Sequence, residues 1–204
     1  MLPLISSIVV ISFSGVMMPG LMFAATVAKS LKSPWAGAQI ALGHAVIEIP
    51  IILLIYFGFI RFSLSDVAQL ILNMLGGSMI IALGVFMYRA RIEVVEKGKD
   101  IPHNAFITGI ITTGINPYFL LWWTSLGSML VLRFLDFGIT GLIVLIIVHW
   151  SCDVAWLSFI SNLVYRTHSL WSKKFQERIF SASSLVLVGF GVWYMVSGVQ
   201  AAVS

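Results

Sequence analysis

Charge is scarce in this sequence. Asp, Glu, Lys and Arg make up 10% of its 204 residues, against about a quarter in an ordinary soluble domain. Hydrophobic residues make up 59%, and mean hydropathy is +1.02. A water-soluble fold of this length could not hide that much apolar surface, so the chain reads as a polytopic membrane protein. Cysteine is almost absent. A single Cys152 excludes an intramolecular disulfide and a two-thiol shuttle. No Lys or Arg occurs from Met1 to Ala28. The basic region that opens a secretory signal is therefore missing, and this segment reads as a mature span. No G-x-x-x-x-G-K-[ST] stretch occurs, which excludes a P-loop ATPase, and no H-E-x-x-H pair, which excludes that type of zinc protease.

What is present is a series of apolar runs of the length a bilayer requires, ~20 residues each. Six are expected: Leu2–Val27, Ala36–Phe59, Leu64–Tyr88, Asn104–Leu132, Gly138–Tyr165 and Ile179–Ala201. The long, charged connection Arg89–His103, "RARIEVVEKGKDIPH", separates residues 1–88 from residues 104–204 and reads as a cytoplasmic linker. Ten of the twelve Lys and Arg fall in the first, third and fifth connections, and Arg61 and Arg133 fall in the other two. The positive-inside rule puts the basic loops in the cytoplasm and both termini outside. The net charge of +4 is then a topology signal and argues against a nucleic-acid partner.

Three spans per half is an odd number, so two related halves would lie upside down relative to each other. The expected fold is all-α: six transmembrane helices forming two inverted-topology three-helix repeats. Three correspondences support it. The first span carries "SGVMMPG", with Ser14, Gly15, Pro19 and Gly20; the fourth carries "TTGINPYF", with Thr113, Gly114, Asn116 and Pro117. Proline removes a helical hydrogen bond and clashes with the preceding turn. Interruptions at matching places in two halves point to a midplane binding site in a secondary transporter. Span two carries His44 and Glu48, and span five carries His149 and Asp153. Each pair is His-x-x-x-carboxylate and shares one helix face. Spans three and six are rich in Gly and Ser, which allow helices to pack closely.

Each of these residues has a plainer reading. Glu48 and Asp153 could be buried carboxylates bonded to a neighbouring helix. A charge at mid-membrane is costly, however, so proton coupling is the favoured role. His44 and His149 could donate to backbone carbonyls, or pair with their carboxylates to relay a proton. The four together also suit a divalent metal such as zinc, manganese or iron. The broken helices could be mere kinks, or could present free amides to a substrate carboxylate. On that reading Ser14, Gly15, Pro19, Gly20, Thr113, Asn116 and Pro117 frame the substrate. Trp122 and Trp123 are expected in packing or at the membrane interface.

With Pro-Gly in the first helix, "GAQIALGH" opening the second after basic residues, and Asn-Pro in the fourth, the chain resembles the LysE/RhtB-type amino-acid exporter family over nearly its whole length. The resemblance implies efflux of amino acids or related small solutes, driven by the proton gradient, across the cytoplasmic membrane and without a cofactor. The chain departs from the family pattern where Leu21 follows Pro19-Gly20, where His44 follows Gly43 in place of an acidic residue, and where Tyr118 follows Asn-Pro. The alternatives are a divalent-metal transporter on the same frame and, less favoured, a membrane enzyme using buried His and carboxylate as acid and base. A homodimer is compatible with six spans, but no motif specifies one.

Overall fold

The computed structural model describes residues 2–18, 20–58, 66–97, 103–170 and 172–203. Among these the chain is helical without a strand: α1 (Leu2–Val16), α2 (Leu21–Ser30), α3 (Ala36–Tyr56), α4 (Asp66–Lys97), α5 (Ala105–Gly114), α6 (Pro117–Trp122), α7 (Ser128–Phe134), α8 (Gly138–Thr167) and α9 (Lys173–Val203). A π-type turn at Trp123–Gly127 joins α6 to α7, and a 3-10 turn at Leu135–Phe137 leads into α8. Three stretches are long and apolar enough to cross a membrane: Ala36–Tyr56, Pro117–Thr167 and Lys173–Gln200. The pair Ile5–Val16 and Leu21–Ser30, bent by 79° at its break, is a fourth if it counts as one crossing. The chain is thus a multi-pass helical protein with three to four candidate spans by length and composition. The 51-residue stretch Pro117–Thr167 is not one straight rod. Gly138 has φ 57° and ψ −149°, a backbone region that glycine alone enters readily.

The helices form two compact units, residues 1–61 with 101–168 and residues 62–100 with 169–204. Each takes segments from both sequence halves. In the first unit α3 lies between α5 and α8. Gly43 and Gly109 make the α3–α5 crossing possible. A Cβ on Gly43 would stand 2.0 Å from the Phe106 carbonyl oxygen, and one on Gly109 would stand 2.2 Å from that of Ile40. Ala36, Ile40, Ala41, Ala105 and Leu157 form the buried core between these helices. The Trp150 indole N–H donates to the Ala41 carbonyl at 3.2 Å, tying α8 to α3. α1 and α2 also pack on α8, the latter through a 2.9 Å hydrogen bond from Ser30 to Ser161.

In the second unit α4 and α9 pair antiparallel along much of their length. Of the small residues expected to permit close packing, Gly77, Gly84 and Gly191 sit in the seam, whereas a Cβ on Gly189 would meet nothing within 4 Å. A Cβ on Gly77 would meet the Gly191 carbonyl oxygen at 2.7 Å, and one on Gly191 would meet that of Gly77 at 2.6 Å. At these glycines the backbones come close and the side chains of Met195 and Ile81 fill in around them, so packing replaces the hydrophobic drive that is missing inside a bilayer. α4 continues to Lys97, so the first part of the charged connection is helical; residues 98–102 lie outside the described residues.

Candidate functional site

The interruptions in α1/α2 and α5/α6 have different local chemistry. Asn116 caps α6, its side-chain oxygen accepting from the Tyr118 N–H at 3.1 Å, and Pro117 follows at the first helical position. Asn then Pro is a favoured helix start, because proline there gives up a hydrogen bond that the first turn would not make anyway. α2 begins after Gly20, which is extended (φ −122°, ψ −160°) and offers no side-chain cap. Pro19 lies outside the described residues.

Beside these breaks α3 and α8 cross with their polar faces together. His44, Glu48, His149 and Asp153 are all at least nine-tenths buried, Glu48 at 2% exposure and Asp153 at 1%. One carboxylate oxygen of Glu48, Oε1, lies 2.9 Å from His44 Nε2 and 3.0 Å from His149 Nε2. Asp153 stands further back, with Oδ1 3.9 Å from His44 Nε2 and Oδ2 3.9 Å from His149 Nε2. Among the described residues Glu48 Oε2 and Asp153 Oδ2 are buried without a hydrogen-bond partner. Each imidazole turns its other nitrogen to a hydroxyl on the opposite broken helix. His44 Nδ1 is 2.8 Å from Thr113 Oγ1 on α5, and His149 Nδ1 is 2.7 Å from Ser12 Oγ on α1.

The Thr113 hydroxyl has one hydrogen and two close acceptors, His44 Nδ1 and the Gly109 carbonyl at 2.7 Å. When the hydrogen goes to Gly109, Thr113 must accept from His44 Nδ1–H. A neutral His44 then turns the lone pair of Nε2 toward Glu48. Two acceptors 2.9 Å apart cannot face each other unless a cation, a proton or a metal ion, lies between or beside them. The arrangement can therefore hold positive charge at its centre, and can pass a proton between either imidazole and Glu48 Oε1.

Aromatic rings wall the cluster. His149 stacks on Trp122 (centroids 5.3 Å, 22°) and meets the edge of Trp123 (5.2 Å, 76°), while His44 meets Phe119 edge-on at 5.3 Å. Trp122 and Trp123 are buried, as a packing role expects, and what they pack on is His149 at the cavity wall. A cavity of about 50 Å³ opens against the four polar residues, and Gly15, Thr113 and Asn116 also line it. That is room for a few water molecules, at roughly 10–15 Å³ of such volume each. Ser14 stands behind the wall: its hydroxyl accepts from the Trp122 indole N–H at 3.3 Å, and its carbonyl accepts from the Tyr118 hydroxyl at 3.2 Å. A Cβ on Gly15 would stand 2.9 Å from the Trp122 ring, so this glycine lets the indole lie against α1.

Sequence reasoning missed Ser12 and Phe119, and Met22, which lines the cavity. Ser12 shares the apolar α1 with other serines, and only the fold selects it. The π-type turn at Trp123–Gly127 beside the wall has no sequence signal either, though such turns are frequent at functional sites. Residues 13–198 match the family model described as LysE type translocator. No curated protein and no solved structure matches the chain.

Proposed function

Because the chain belongs to the LysE type translocator family, and so is a membrane transporter of amino acids or similar solutes, we propose that it is a secondary exporter that exchanges its substrate for protons. The observation that carries this reading is the shared Glu48 oxygen, bonded at once to an imidazole from α3 and an imidazole from α8. A proton placed there links the two helices, and its departure changes what holds them together. That is the coupling an exchanger needs. Glu48 and Asp153 carry the proton, His44 and His149 relay it, and the breaks at Gly15–Gly20 and Thr113–Pro117 frame the substrate.

Six spans in two inverted repeats are the architecture this reading requires, with both termini outside the cytoplasmic membrane. Packing within each unit supports the inversion. α3 packs on α5 while α8 packs on α1 and α2, so each second helix meets the broken helix of the other half. Each histidine likewise reaches a hydroxyl across the halves. In the other unit the third helices, α4 and α9, pair with each other. Substrate would bind by its carboxylate at the half-helix N-termini, alternately from either side.

The test uses purified protein in proteoliposomes with a pH-sensitive dye inside and a panel of amino acids outside. Proton movement evoked by an amino acid, and lost in Glu48→Gln, is the expected result. Amino-acid transport that proceeds without proton movement would overturn the coupling.

A further inference from the structure

The geometry points to a divalent-cation site: His44, Glu48 and Asp153 offer three ligands to one transition-metal ion of the zinc type, with His149 beside them on Glu48. The ion would occupy the atoms to which proton handling is assigned, so metal and proton exclude each other there, and the inference does not depend on which solute is carried. The first argument is distance. Zinc holds nitrogen and oxygen ligands at about 2.0–2.2 Å in a tetrahedron, which sets neighbouring ligand atoms ~3.3 Å apart. His44 Nε2 lies 2.9 Å from Glu48 Oε1 and 3.9 Å from Asp153 Oδ1, on both sides of that value. Ligand atoms of His44, Glu48 and Asp153 all lie within 4.8 Å of one another. The cavity beside them leaves a fourth position for water, as in zinc sites with three protein ligands.

The second argument is unsatisfied valence. Glu48 Oε2 and Asp153 Oδ2 are buried polar atoms that no described residue bonds. Such atoms are rare in folded proteins and call for an explanation, a bound ion among them. Both belong to side chains that line the cavity.

The third argument is charge. Two carboxylates held ionised in an apolar interior are strongly unfavourable unless paired. Two neutral imidazoles, two carboxylates and one divalent cation sum to zero. The imidazole of His44 is prepared for the task. A metal-binding histidine usually gives its second ring hydrogen to a neighbour, which fixes the ligating nitrogen. For His44, Thr113 stands where that hydrogen goes, 2.8 Å from Nδ1. The mixed nitrogen and oxygen donors favour zinc-like ions over magnesium or calcium, which take oxygen alone.

The test is binding to tag-free protein in detergent, by calorimetry with Zn²⁺ and by visible absorption with Co²⁺. One Zn²⁺ per chain is expected, with Co²⁺ showing the intense bands of four-coordination and leaving when Zn²⁺ is added. The double variant His44→Gln/His149→Gln should lose both signals, and His103→Ala/His168→Ala should keep them. Thr113→Val, which touches no ligand atom directly, should weaken Zn²⁺ binding by about 10-fold. If the double histidine variant does not fold, Asp153→Asn alone must lower Zn²⁺ affinity at least 10-fold. Absence of saturable binding at one ion per chain, or binding unchanged in these variants, would overturn the site. No gradient and no organic substrate enter this assay, so its failure and the failure of proton-coupled export are separate outcomes.

Discussion

α3 and α8 carry the same His-x-x-x-carboxylate motif, yet the two motifs are not used alike. The α3 carboxylate, Glu48, reaches both imidazoles at hydrogen-bond distance; the α8 carboxylate, Asp153, stands 3.9 Å from each. Glutamate is longer by one methylene, about 1.5 Å of reach. That is enough to let one side chain occupy the centre and hold the other back. The rings are also held differently. His149 is packed between two indoles, whereas His44 has one phenyl edge and a backbone crossing at Gly43–Gly109 behind it. A duplicated motif thus provides one bonded carboxylate and one in reserve, an asymmetry suited to a group that must receive a cation and then release it.

The sharpest way to break this comparison is to neutralise each carboxylate in turn. Glu48→Gln should reduce substrate-driven proton movement in proteoliposomes to background, because it removes an acceptor that both imidazoles share. Asp153→Asn should leave a measurable fraction. Equal losses would mean that the difference in distance has no functional weight.

Next in size is the indole stack on the α8 side. Trp122 is buried at 4% exposure, and removing a large buried ring costs about 3–5 kcal/mol. Trp122→Ala should lower the melting temperature in detergent and loosen His149, while Phe119→Leu, at the single ring edge on His44, should cost less. The reverse order would put the rigid wall on the α3 side.

A smaller effect is expected from restoring symmetry. Asp153→Glu gives α8 the missing methylene, and the new carboxylate can reach the imidazoles that Glu48 now holds. Competition between two equal acceptors should slow exchange several-fold without abolishing it, measured as initial proton flux at saturating substrate. An unchanged rate would show that Asp153 already makes those bonds during the cycle.

Much of this was legible in the sequence, for physical reasons. Charge is so expensive in an apolar run that Glu48 and Asp153 stand out from the residues around them, and the matching spacing to His44 and His149 identifies a face. Pro117 and the preceding Asn116 mark a helix start that the fold bears out in the cap. Gly77 and Gly191 were legible as packing residues, though not as each other's partners. What could not be read was which face meets which. Ser12 and Ser14 are two residues apart on one helix, so they point apart. Ser14 looked like the binding residue from its place beside Gly15, yet Ser12 is the one that meets His149. Trp122 and Trp123 read as packing or interfacial residues, and nothing in the sequence showed which ring they pack on. The burial of Trp122 depends on Gly15, a steric gap visible only when α1 and α6 are brought together.

The smallest expected effects belong to the two hydroxyls, and they separate the two arms most finely. Thr113→Val keeps the shape of the side chain and removes the oxygen 2.8 Å from His44 Nδ1. A buried ring nitrogen left without a partner costs about 1–3 kcal/mol. Ser12→Ala does the same to His149, but there Trp122 and Trp123 still fix the plane of the ring. Thermal unfolding in detergent should therefore fall slightly in both variants, and the ring of His44 should become the more mobile of the two by NMR of labelled histidine. Thr113→Ser, which retains the oxygen, should restore His44. Equal mobility in the two variants would show that the hydroxyls, and not the indoles, hold both rings in place.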